Sequence, residues 1–162
     1  MNEPTYLRED PPSYFKKFAI SGKGAVEQHL SEEGARGFYG GVSALAAVVT
    51  KGLPFGELEA LREQLDIPLD RLTQFLGLAR ATVHRRKVSG HLNADESDKV
   101  LRFARLLGQA AKVFGGIAGA REWLRAPQYG LGGAVPLAFA GTEVGAREVE
   151  SLIGRIDHGV YS

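Results

Sequence analysis

Apolar residues recur along much of the chain at the three- and four-residue intervals typical of amphipathic helices. Leu58, Leu61 and Leu65 form one such series. Pro54 precedes it, at a position where a helix can begin because the missing backbone N–H is not needed there. A short Ala/Val/Leu helix over 42–50 is predicted upstream, and another helix over 69–76 follows Pro68.

Residues 69–87, LDRLTQFLGLARATVHRRK, have the layout of a helix-turn-helix. Gly77 follows the first helix and permits a tight turn, because glycine adopts a positive φ at little cost. The second helix is predicted over about 80–87, and in this motif it lies in the DNA major groove. Thr73 stands where alanine is usual, so an ordinary helical pair with a basic side remains the alternative.

The charge of this segment favours contact with a polyanion. No acidic residue occurs from Arg71 to Ala94, whereas five basic residues do. A solvated basic face is the alternative. If the segment binds DNA, the start of the second helix should face base edges, and its end should contact phosphates. The predicted base-facing residues are Ala79, Arg80, Thr82, His84 and Arg85, and the predicted phosphate contacts are Arg86 and Lys87.

Asn93 and Glu96 have the spacing of a capping box, in which each side chain binds the backbone N–H of the other residue. They predict the start of a long helix that Gly115 and Gly116 terminate. Its apolar stripe should be buried and consists of Val100, Phe103, Ala104, Leu107, Ala110, Ala111 and Phe114.

The last third contains shorter elements. A helix with Trp123 and Leu124 should end at Pro127, before the glycine-rich loop GLGGAVP at 130–136. A final helix is predicted from about Thr142 to Gly159, with Val149, Leu152, Ile153 and Ile156 on its buried face. Trp123 is expected in the core. Because no segment shows convincing strand alternation, the predicted fold class is all-α.

The C-terminal half resembles the MbcA/ParS/Xre antitoxin family. The resemblance is carried by ESDKVLRFARLL, AKVFGG, AREWLRAPQYGLGGAVPLAF and GTEVGAREVESLIGRIDHGVYS, in that order. Upstream, GLP at 52–54 and ATVHRRK at 81–87 are similar to the family's helix-turn-helix half. The resemblance implies an antitoxin that represses its own operon and neutralises a RES-domain toxin, an enzyme that consumes NAD.

In the family the C-terminal helix and tail are thought to cover the toxin's active site. Carried over to this chain, the resemblance implies a toxin-binding set of Arg155, Asp157, His158, Gly159, Val160, Tyr161 and Ser162. Arg155 and Asp157 could equally be solvated charges at a helix end, and Gly159 could have a purely geometric role.

The expected organisation is an arm at 1–35, a helix-turn-helix and dimerisation domain at 36–115, and a toxin-binding domain at 116–162. The expected partners are the RES-domain toxin, operator DNA and a second copy of the chain, because palindromic operators match two-fold proteins. No membrane association is expected. The absence of cysteine, a signal peptide and a long apolar run indicates a cytoplasmic protein.

The sequence does not favour an enzyme. His29, His84, His91 and His158 are scattered without metal-ligand spacing, and the glycine loop lacks the Lys-Ser/Thr of a phosphate loop. We expect no catalytic residues, no metal and no cofactor. Two other readings remain open: a stand-alone helix-turn-helix transcriptional regulator without a toxin partner, and an adaptor whose helix-turn-helix no longer binds DNA.

Overall fold

The computed structural model describes residues 49–160. The predicted arm at 1–35, most of the predicted helix over 42–50, and the tail residues Tyr161 and Ser162 lie outside the described residues.

Within residues 49–160 the chain is helical, which confirms the predicted all-α class. The only β-type pairings in that range are isolated bridges. No helix there is long and apolar enough to cross a bilayer. A 3-10 turn covers Tyr129–Leu131, and the α-helices are α1 Phe55–Leu65, α2 Leu69–Phe75, α3 Arg80–Ser89, α4 Ala94–Val113, α5 Ile117–Arg125, α6 Pro136–Phe139 and α7 Glu143–Asp157.

Local signals in the sequence fix the ends of these helices. α1 and α2 begin directly after Pro54 and Pro68, which occupy their N-cap positions. The predicted capping box opens α4, with the Asn93 side chain accepting from the Glu96 N–H at 2.8 Å and the Glu96 side chain accepting from the Asn93 N–H at 2.8 Å. Thr142 caps α7 by a single side-chain hydrogen bond, accepting from the Gly145 N–H at 3.0 Å.

The fold is organised around α4. Its 20 residues bring one apolar face against α1 and another against α5 and α7. From the predicted stripe, Val100, Phe103, Ala104, Leu107 and Ala110 are buried, whereas Ala111 and Phe114 are half-buried at the edge of the core. Because both halves of the chain bury their apolar faces on this helix, they share one core.

Trp123 lies at the edge of the core rather than in its centre. It is half-buried and stacks on Phe114, with ring centroids 4.9 Å apart. Stacked aromatic pairs of this geometry contribute about 0.5–1.5 kcal/mol beyond the area that they bury. The contact holds the end of α5 against the end of α4, across the turn at Gly115 and Gly116.

Ion pairs join the polar sides of α4 and α7. Arg102 contacts Asp98 at 2.9 Å on its own helix and Glu143 at 3.0 Å on α7. Arg105 contacts Glu150 at 2.7 Å. Arg147 donates to Glu143 at 3.1 Å. Glu143 therefore accepts a hydrogen bond from Arg147 and forms an ion pair with Arg102, and the second contact fixes the start of α7 against α4.

Arginines of α5 bind the C-terminal end of α1. The Arg121 guanidinium donates to the backbone carbonyls of Gln64 and Glu63, and Arg125 donates to the carbonyl of Asp66 at 3.0 Å. A helix C-terminus exposes unpaired carbonyls and a partial negative charge, so cationic donors stabilise it. These contacts connect the two halves of the chain across more than fifty residues.

The contacts of Glu143 with Arg147 and Arg102 predict a pH dependence of stability. The hydrogen bond from Arg147, with the nearby Arg102 charge, lowers the pKa of Glu143 below its ordinary value. A carboxyl whose pKa is lowered on folding stabilises the protein above its unfolded-state pKa, and loses that contribution as the pH falls through the lowered value.

Unfolding midpoints in urea should therefore decline as the pH is lowered from neutral towards about pH 3, and this decline should be less steep in Glu143→Gln. Glu122→Gln, which removes an exposed carboxylate from α5, is the control. Equal slopes in Glu143→Gln and the parent chain would contradict the assignment.

Candidate functional site

The helix-turn-helix is formed by α2, the turn at Gly77 and α3. Gly77 has φ +66°, the left-handed conformation that the sequence predicted for the turn. The Leu78 N–H donates to the Thr73 carbonyl at 2.8 Å and closes the turn. Thr73 is buried, and its hydroxyl donates to the Asp70 carbonyl at 3.0 Å. Threonine is accommodated where alanine is usual because its polar atom is satisfied within α2.

α3 presents a basic face to solvent. Arg80, His84, Arg85 and Lys87 are exposed, and their spacing places them on the side of the helix that faces away from the core. Thr82 is half-buried on the opposite side. No residue of α3 is fully buried, so most of this helix is accessible to a partner.

Arg86 lies on the packed side of α3 and makes an ion pair. Its Nε donates to Oε2 of Glu96 at 2.8 Å, and the two side chains are only 23% and 7% exposed. The same Glu96 carboxylate accepts from the Asn93 N–H at the start of α4. Arg86 therefore joins the end of α3 to the N-terminus of α4. The sequence predicts Arg86 as a phosphate contact, although it occupies a position of the motif that is often apolar. Its partner Glu96 lies ten positions away, so local spacing does not indicate the ion pair.

The end of α3 is also held by backbone contacts. The Phe55 N–H donates to the Gly90 carbonyl at 2.8 Å, and Gly90 itself has φ +82°.

Val88, which the sequence does not single out, is 77% exposed and lies one turn after His84. It adds an apolar group to the exposed face of α3, of the kind that contacts thymine methyl groups in the major groove.

In the C-terminal part of the chain, α7 leaves the core before it ends. Val149, Leu152 and Ile153 are buried, whereas Ile156 is half-buried. The helix closes with a Schellman motif, in which the Val160 N–H donates to the Arg155 carbonyl at 2.8 Å and the Gly159 N–H donates to the Ile156 carbonyl at 3.0 Å. Gly159 has φ +70°, as this motif requires. The motif fixes the direction in which the chain leaves α7.

Most of the toxin-binding set predicted by resemblance is exposed at this end. Asp157, His158, Gly159 and Val160 are all exposed, and the apolar Val160 is 54% exposed. Arg155 is half-buried along the helix, where its Nη1 donates to Ser151 Oγ at 3.1 Å. Tyr161 and Ser162 complete the set and lie beyond the described residues. The structure thus brings Arg155 and the residues up to Val160 together on the last turn and its cap.

Within residues 49–160 no cluster of three or more His, Asp or Glu side chains has an arrangement that could hold a metal ion. What the structure offers is two separate accessible surfaces: the basic face of α3, and the exposed end of α7.

Comparison with known proteins assigns the two parts of the chain that carry these surfaces to two domain families. Residues 44–105 match the antitoxin Xre-like helix-turn-helix domain, and residues 109–159 match the antitoxin Xre/MbcA/ParS C-terminal toxin-binding domain. The chain is 33% identical over 122 residues to "Antitoxin Xre" of Yersinia enterocolitica, covering 74% of this chain and 82% of that protein. It is 32% identical over 120 residues to "Antitoxin Xre" of Photorhabdus laumondii, covering 73% and 81% respectively. The chain belongs to the Xre/MbcA/ParS antitoxin family.

A more distant relative is named "Prs ADP-ribosylating antitoxin" and comes from a Sphingobium species. It is 26% identical over 125 residues, which cover 71% of this chain and 79% of that protein. The protein is thus an antitoxin of a toxin–antitoxin system, with a helix-turn-helix half and a toxin-binding half. The boundary between the two matched segments falls inside α4, so this antitoxin joins its two halves by a continuous helix.

The Arg86–Glu96 pair should contribute strongly to the stability of this antitoxin. Glu96→Ala removes half of the capping box and leaves the Arg86 guanidinium without its partner in a mostly buried place. We expect it to lower the free energy of unfolding by about 2–3 kcal/mol, measured by urea denaturation. Asp98→Ala in the same helical turn is the matched control. Its side chain is 64% exposed, and it should cost less than about 1 kcal/mol. Similar losses in both variants would mean that the pair is not a special stabilising contact.

Proposed function

We propose that this antitoxin neutralises a RES-domain, NAD-degrading toxin by covering its active site with the end of α7 and the following tail, and that it represses its own operon through α3. The observation that carries the first part is the exposed, Schellman-capped end of α7 within the toxin-binding half. The second part rests on the exposed basic face of α3 within the helix-turn-helix half.

The tail is suited to entering a concave pocket. The cap at Gly159 fixes the direction in which the chain leaves α7, and Val160 is exposed there. By residue type, Val160 and Tyr161 would supply apolar and aromatic contact area. Asp157 places a carboxylate at a helix C-terminus, where the helix dipole disfavours negative charge. Pairing with a cationic group on the toxin would offset this unfavourable interaction of Asp157.

An NAD-binding pocket is the target that best fits the family. The Sphingobium relative has "ADP-ribosylating" in its name, and ADP-ribosyl transfer takes its ADP-ribose from NAD. Hydrolysis of NAD by a RES-domain toxin uses the same substrate. A plug that fills the site where NAD binds would therefore inhibit either chemistry by steric exclusion.

For operator binding, we propose that α3 enters the major groove with Arg80, His84 and Arg85 towards base edges and Lys87 towards a phosphate. Thr82 is half-buried, so its hydroxyl would contact DNA only from the margin of this surface. Arg86 would act mainly by holding α3 on α4, because Glu96 already binds its guanidinium. Two copies of the chain would place two such helices on a palindromic site.

The tail mechanism is tested by a chain that ends at Asp157. This truncation removes the tail and the Schellman cap but keeps α7 to its last residue, so the circular dichroism spectrum should keep its helical signal and the melting temperature should fall only slightly. The full chain should inhibit NAD hydrolysis by its cognate RES-domain toxin, and the truncated chain should not. Val88→Ser, on the exposed face of α3 in the helix-turn-helix half, is the control and should inhibit normally. Full inhibition by the chain ending at Asp157 would contradict the tail mechanism.

The DNA surface is tested by Arg85→Ala with a duplex of the antitoxin's own promoter. We expect binding to weaken by about 1–3 kcal/mol if Arg85 contacts a base. Lys87→Ala should weaken binding more uniformly across sequences and reduce the salt dependence by about one counterion. Arg147→Ala removes an exposed arginine from the toxin-binding half and should have no effect. Unchanged promoter binding in Arg85→Ala at low salt would place the DNA contact on another surface.

A further inference from the structure

The most exposed large side chain among the apolar and aromatic residues of 49–160 is Tyr129. It is 99% exposed, and it lies in the 3-10 turn between α5 and α6. The whole ring is in contact with water, so Tyr129 lacks the burial that usually stabilises an aromatic side chain. Tyr129 belongs to the toxin-binding half, outside the tail to which the family resemblance assigns toxin contact.

Hydrogen bonds hold the loop that carries Tyr129 in one conformation. The Gln128 N–H donates to the Ala134 carbonyl at 3.0 Å, and the Gly133 N–H donates to the Gln128 carbonyl at 2.9 Å. The Gln128 side-chain amide donates to the Trp123 carbonyl at 2.9 Å, which ties the loop to the end of α5. Gly132 and Gly133 have positive φ values, so the tight path depends on glycine. The backbone at Tyr129 is therefore ordered before any partner binds.

This loop packs directly beside α7. A Cβ on Gly130 would lie 2.6 Å from Cδ1 of Leu152, so the backbone next to Tyr129 rests on the Leu152 side chain. Arg155 and Ile156 follow Leu152 by three and four residues, which is one helical turn or about 5 Å along the axis. Leu152 is itself buried, at the border of an α7 strip that contains the exposed Glu148 and Ser151 and the half-buried Arg155.

From this placement we infer that Tyr129 is a second contact point for the toxin, on the rim of the pocket that the tail enters. The inference rests on the proposed function, because it extends the toxin-binding surface from the end of α7 to the adjoining loop. A preorganised, exposed tyrosine loses few rotamers on binding and buries a large area, the properties of residues that dominate binding energy at protein interfaces.

The geometry also specifies the complementary surface on the toxin. The ring requires an apolar depression, and the hydroxyl requires a hydrogen-bond partner at its far end. The exposed Gly132 and Gly133 have no side chains to hold a partner at a distance, so the toxin backbone can approach the loop closely. Arg155 on the neighbouring strip favours an acidic group on the toxin between the depression and the pocket.

The test is calorimetric titration of the cognate RES-domain toxin with the full-length antitoxin. Tyr129→Ala should weaken binding about 10- to 100-fold, whereas Tyr129→Phe should retain most of the affinity because the ring remains. Val88→Ala removes a comparably exposed apolar side chain from the helix-turn-helix half and should bind the toxin as the parent does. Because Tyr129 touches little of the fold, the melting temperature and promoter binding of both Tyr129 variants should be unchanged.

The outcomes separate the two proposals. If Tyr129→Ala binds with parental affinity while the chain ending at Asp157 has lost affinity, the tail mechanism stands and the Tyr129 contact is wrong. If Tyr129→Ala is weakened and the chain ending at Asp157 binds and inhibits normally, the loop is the main contact and the tail mechanism is wrong. Should the parental chain fail to bind the toxin, both proposals are overturned.

Discussion

The structure depends on the burial of α4 from two sides. Phe103, Leu107 and Ala110 pack in a core to which α1 contributes from the helix-turn-helix half, and α5 and α7 from the toxin-binding half. Neither half has a separate apolar core within the described residues. Fully burying a large apolar side chain contributes about 1.5–3 kcal/mol, so separating the halves would expose several such residues at once. The antitoxin therefore carries its two surfaces on one body.

Charged contacts make this arrangement specific. Glu96 fixes the end of α3 on the start of α4, Arg121 binds the C-terminal carbonyls of α1, and Arg102 and Arg105 hold α7 by its acidic residues. Each contact lies between elements, where a sliding helix would break it. The result is a fixed placement of the basic face of α3 relative to the end of α7, so that DNA and toxin would be bound at separate places on a single scaffold.

Features decided by residues close together in the sequence could be predicted, whereas contacts between residues far apart in the sequence could not. The capping box at Asn93, the turn at Gly77, and the helix stop at Gly159 were predicted correctly, because each is decided by residues within a few positions. The pairing of Arg86 with Glu96 and of Arg121 with the end of α1 could not be predicted, because it depends on how the helices pack. Tyr129 was missed for a related reason: an aromatic residue beside glycines gives no indication of its exposure until the loop is placed against α7.

The central claim is that one rigid molecule uses α3 for DNA and the α7 end with its adjoining loop for the toxin. Hydrogen–deuterium exchange of the antitoxin alone, with promoter DNA, and with toxin measures both footprints in one experiment. The account predicts that DNA protects amides in 78–90, that toxin protects those in 128–134 and from 154 onward, and that α4 is slow to exchange in all three states. Toxin protection centred on α3, or rapid exchange along α4 in the free protein, would contradict it.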